Sequence, residues 1–93
     1  MDEMKFNSVW DALEDTPESA RNMELRSVLM TALRDHIEQT HMSQTDAAAL
    51  FGVTQPRISD LMRGRIALFG LDTLVNMATA AGLSVEIRVA QVA

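Results

Sequence analysis

In SQTDAAALFGVTQPRISDLMRG, residues 43–64, a single glycine, Gly52, sits between two short stretches that each carry helix-start chemistry. Ser43 stands before QTDAAALF with Asp46 three residues on, a variant of the capping box. Thr54 stands before QPRISDLMR as the cap of the second stretch. Gly52 closes the first stretch in the left-handed region that glycine reaches at least cost. Two helices this short, joined by a turn this tight, must cross steeply and touch. That requires small residues at the crossing, which Ala47 and Ala48 supply, and apolar wedges between the helices, which Phe51, Val53, Ile58 and Leu61 supply.

The rest of the chain supports this pair. Thr16 and Pro17 start a long helix expected to end near Thr40, with Leu25, Leu29, Ala32, Leu33, His36 and Ile37 as its core stripe. After Gly64 and the connection RIALFG, a fourth helix is expected from about Leu71 to Ala81, with Leu71, Leu74, Val75, Ala78 and Ala81 facing inward and Gly82 beyond its end. The period then changes. Val85, Ile87 and Val89 alternate with Glu86 and Arg88, the pattern of a short strand. Ninety-three residues hold one core, and 47% hydrophobic against 23% charged residues is an ordinary globular balance. The reading divides the chain into an N-terminal arm (1–16), a helical domain (17–83) and a C-terminal dimerisation strand with its tail (84–93).

Composition excludes several function classes. With no cysteine there is no thiolate metal site, and His36 and His41, five apart, point to different faces of a helix. His36 is expected at the edge of the core and His41 in a turn, where histidine tolerates a left-handed backbone. No phosphate-cradling glycine loop or serine–histidine–acid order occurs, so neither enzyme, metal nor cofactor is expected. The seven methionines read as core filler. No apolar run approaches the roughly 20 residues of a membrane span, and MDEMKF is acidic where a secretory signal is basic, so a cytoplasmic protein is expected.

A net charge of −5 runs against nucleic-acid binding until its distribution is considered. Through Met42 there are nine acids and four bases; from Ser43 onward there are four of each. Three arginines, Arg57, Arg63 and Arg65, fall within nine residues. Gln55, Pro56, Arg57, Ser59, Asp60 and Arg63 are left on the outer side of the second short helix, several of them types that read base edges. A purely structural hairpin gives no reason for that choice.

At these residues the chain resembles the XRE, or λ repressor-like, helix-turn-helix family over about Glu24 to Gly82. The resemblance implies an all-α bundle and assigns Gln44 to brace Gln55 against a phosphate while Gln55 reads adenine. It implies a homodimer on a palindromic double-stranded DNA operator, with Gln55, Arg57 and Ser59 at the bases and Thr54 and Pro56 also on the DNA-binding surface. Gln44, Arg63 and Arg65 are expected on phosphates, and Asp60 is expected either to accept from cytosine or to orient Arg57. The segments LFGVTQPRISDLMRG and LFGLDTLVNMATAAGLSVEIRV look, more narrowly, like HigA-type antitoxins, which repress their own operon and neutralise a RelE-like ribosome-dependent RNase. One departure is His41, where relatives tend to place glycine.

Two surfaces are expected for proteins. Val85, Glu86, Ile87, Arg88 and Val89 are read as a strand pairing with its own copy across the dimer axis, because a lone strand needs a partner. Phe6, Val9, Trp10 and Leu13, apolar residues among acids, are read as the contact for a small basic toxin, the alternative being that they fold back on the core. The rivals to the whole reading are a protein-interaction module that does not bind DNA and a stand-alone phage-type repressor without a toxin.

Overall fold

The computed structural model describes residues 16–92. Among the described residues four helices follow in order: α1 Pro17–Gln39, α2 Gln44–Phe51, α3 Gln55–Met62 and α4 Leu71–Ala80, with a 3-10 turn, Ile66–Leu68, between α3 and α4. The starts are where capping chemistry puts them. The Thr16 hydroxyl accepts from the Ser19 amide at 3.0 Å, and the Ser43 hydroxyl accepts from the Asp46 amide at the same distance. At the end of α1 the chain reverses through His41, at φ 54° the one non-glycine residue with positive φ among the described residues.

α1 packs mainly on α4, and α2 mainly on α3 and α4. Phe51, Ile58, Leu61, Phe69 and Leu74, all at 1% exposure or less, form the centre of one core. His36 lies at its edge, its ring meeting Phe51 edge-on at 86° with centroids 6.3 Å apart.

Two expectations are corrected. The buried line of α1 is Met30, Leu33 and Ile37, whereas Leu25 is 45% exposed and Ala32 is also exposed. On α4 the buried residues are Leu74, Met77 and Ala78, with Leu71 and Val75 only half-buried. Each helix is apolar over a wider arc than its neighbours cover, so periodicity finds the arc but not its centre. The second correction is the strand. No strand occurs among the described residues, and beyond the Leu83 amide, which donates to the Ala78 carbonyl, no backbone group through Val92 is hydrogen-bonded. Alternation fixes which side chains share a face, but a strand exists only where a second one completes the ladder, and no described segment of this chain offers one to Val85–Val89.

Among the described residues no helix is long and apolar enough to cross a membrane. Phe6, Val9, Trp10 and Leu13 lie outside the described residues.

Candidate nucleic-acid interface

The crossing of α2 and α3 is built as its residues require. Ala47 and Ala48 are buried where the helices meet, and Gly52 takes φ 72°. A Cβ at Gly52 would lie 3.7 Å from the Cβ of Ala80, an ordinary contact, so the backbone angle, not space, is what demands glycine there. The Thr54 hydroxyl accepts from the Arg57 amide at 3.4 Å and starts α3. Ile58 and Leu61, fully buried, then fix its rotation.

With that rotation set, Thr54, Gln55, Pro56 and Arg63 are exposed, while Arg57, Ser59 and Asp60 are half-buried on the flanks. The carbonyl oxygen of the Gln55 side chain accepts from the Thr45 hydroxyl at 3.4 Å. Thr45 thus takes the bracing position expected of Gln44, which is exposed at the start of α2. Sequence reasoning passed over Thr45 because it looked for a second amide, whereas any hydroxyl one turn from the crossing can hold Gln55.

Arg57 turns toward the loop, its guanidinium over the Phe69 ring at 4.5 Å from the centroid. Asp60 therefore does not orient Arg57; its carboxylate faces Arg65, 3.8 Å away. With the Arg65 side chain 53% exposed, that pair is loose, and its guanidinium remains available to a phosphate.

Two arginines of α1 join this end of α3. Arg26 donates from Nη1 to the Ile66 carbonyl at 3.3 Å and from Nε to the Asn22 side chain at 2.8 Å, tying α1 to the 3-10 turn. Arg34 places Nη1 3.4 Å from where a Cβ would stand on Gly64, and its Nε is buried without a hydrogen-bond partner. Neither is among the residues expected at DNA. Their spacing of eight residues, which returns to the same side of a helix, was the available hint. The loop after α3 is therefore surrounded by arginines from two elements, a local basic patch on an acidic chain.

The surface thus combines a helix with exposed polar residues at its start and cations at its end, the division between base reading and phosphate binding that a groove-bound helix uses. The family described as helix-turn-helix domain matches residues 12–90. The chain belongs to that family. No curated protein matches it. A helix-turn-helix domain suggests a DNA-binding regulator, and in this one α2 and α3 are the two helices of the motif. Among its described residues no cluster of three histidine, aspartate or glutamate side chains is placed to hold a metal ion.

Proposed function

We propose that this helix-turn-helix domain is a sequence-specific repressor that binds a palindromic operator as a homodimer and catalyses no reaction. The observation that carries the reading is the exposed start of α3, where Gln55 is held by Thr45 above a buried Ile58 and Leu61. Two copies of α3 would enter successive major grooves about 34 Å apart. Gln55 and Ser59 meet base edges, Thr54 and Pro56 fit the helix start against the groove wall, and Arg57 approaches from the flank where Phe69 supports it. Gln44, Arg63 and Arg65 hold phosphates. Asp60 faces Arg65 across a loose pair that leaves the guanidinium free to reach a phosphate. The exposed apolar tail supports the dimer, with Ile87 81% and Val89 91% exposed.

Within this reading the narrower likeness to HigA-type antitoxins makes the repressor autoregulatory, in a cytoplasmic pair with a small basic RelE-like toxin. Phe6, Val9, Trp10 and Leu13 are the proposed toxin contact. A gel shift on the DNA upstream of its own reading frame tests the repressor; no shift at any protein concentration, with the chain folded, removes it. Coexpression with the neighbouring frame tests the antitoxin. If no small basic protein copurifies, the phage-type repressor acting alone is the reading that stands.

A further inference from the structure

The uncovered apolar arcs of α1 and α4 face a common space. Leu25 and Val28 of α1, Leu71 and Val75 of α4, and Val85 and Ile87 of the tail line an apolar groove of about 600 Å³. Val28 is 62% exposed, Ile87 81%, Val89 91% and Val92 89%. A groove of this kind and a tail of this kind, on one surface of one chain, present a large apolar patch to water. The tail cannot fill the groove itself, because Val85 and Ile87 already form its wall.

We infer that the groove is the socket of the homodimer: the tail of a second copy, led by Ile87 and Val89, lies across it, and the first copy's tail fills the second groove by symmetry. This rests on the homodimer proposed above and says where its seam lies. Charge selects the occupant. The rim carries Asp72, Glu86 and Arg88, so under a two-fold axis each copy offers Arg88 to the other's carboxylates. Residues 1–15 are the rival occupant from the same chain, but with five acids and one base they bring like charge to a rim of two carboxylates and one arginine. Reciprocal seating also brings the tail's unbonded amides and carbonyls, Ser84 to Val92, against a second copy.

The test is sedimentation of the full chain as wild type, Val28→Asp and Ile87→Asp, with circular dichroism to confirm folding. Both positions are exposed in the single copy, so the fold should survive. The wild type should dimerise at micromolar concentration, and each aspartate, desolvated in the seam without a partner, should raise the dimer dissociation constant by about a hundredfold or more. Wild-type dimerisation in both variants overturns the socket while leaving the homodimer standing. A wild type that stays monomeric removes the homodimer and the socket together. If Val28→Asp stays dimeric but shifts the emission of Trp10, the one tryptophan, to the red, the chain's own first residues hold the groove and the inference fails.

A second arm covers a variant that fails to fold. The chain has no cysteine, so Val28→Cys and Ile87→Cys chains of different tag length can be mixed and oxidised with glutathione disulfide. A 28-to-87 link between unlike chains supports the socket. Links confined to 87-to-87 overturn it in favour of a seam made by the tails alone.

Discussion

The guanidinium of Arg57 rests on the ring of Phe69, 4.5 Å from its centroid, and so a residue at the start of the reading helix is held by the loop that follows it. Phe69 is fully buried, which makes its face a fixed platform. A side chain so held loses less entropy on meeting a base than a free one does. Arg57→Ala should weaken operator binding by about 1–3 kcal/mol and lower stability by roughly 0.5–1 kcal/mol. Arg57→Lys should restore little of the binding, because a point charge lacks the planar fork. Loss of stability with unchanged operator affinity in fluorescence titrations would make Arg57 a packing residue alone.

Gln55 and Thr45 should behave as a pair in which only one member reads sequence. Gln55→Ala should cost about 1–3 kcal/mol on the operator and relax preference at one base position. Thr45→Val removes the hydroxyl that donates to Gln55 and keeps the shape. It should cost less, about 1 kcal/mol, with the same base preferred. A double-mutant cycle measures the coupling, and strictly additive losses would separate the two residues.

What was legible in the sequence was local. Thr16, Ser43, Thr54 and Gly52 act through bonds and angles within four residues of themselves, so their roles follow from spacing, and the structure has each helix start and the turn where they imply. The illegible parts depended on something farther away. Met30 is buried and Leu25 is not because α4 and the loop after α3 cover one edge of the α1 arc, and no periodicity within α1 contains that information. Val85–Val89 alternates as a strand would, yet no described segment supplies the second strand of a ladder, and alternation alone does not make one. In the candidate site the exposed start of α3 was readable from its cap and buried side, whereas the platform under Arg57 and the arginines of α1 were brought in by the tertiary fold.

Arg34 should trade stability against binding. Its buried Nε has no partner, which costs folding free energy that an apolar side chain of similar length would recover. Arg34→Met should therefore raise Tm by a few degrees, on the order of what 1 kcal/mol produces in a domain this size. The same change removes a cation from beside Gly64 at the end of the reading helix. It should weaken binding to all sequences alike and lower the salt slope by about one unit. A Tm that falls, with the slope unchanged, would mean that Arg34 is held by the fold and not available to DNA.

His41 offers the cleanest measure of backbone strain in the molecule. It stands at φ 54° just past α1, where its amide donates to the Glu38 carbonyl at 3.2 Å and the Met42 amide donates to the Ile37 carbonyl at 3.4 Å. Those bonds end the helix and set the direction in which the chain reaches Ser43, so the angle cannot relax without moving α2. A side chain in that region costs about 1–2 kcal/mol, against the roughly 0.5–1 kcal/mol of unfolded-state freedom that glycine adds. The His41 side chain is exposed and makes no hydrogen bond among the described residues, so little is lost with it. His41→Gly should stabilise the domain by about 0.5–1 kcal/mol, read as a higher denaturant midpoint at an unchanged slope, while operator affinity stays the same. His41→Val, β-branched at the same angle, should destabilise it by more than glycine gains. If glycine and valine shift the midpoint equally, the turn relaxes in solution and its angle does not position α2.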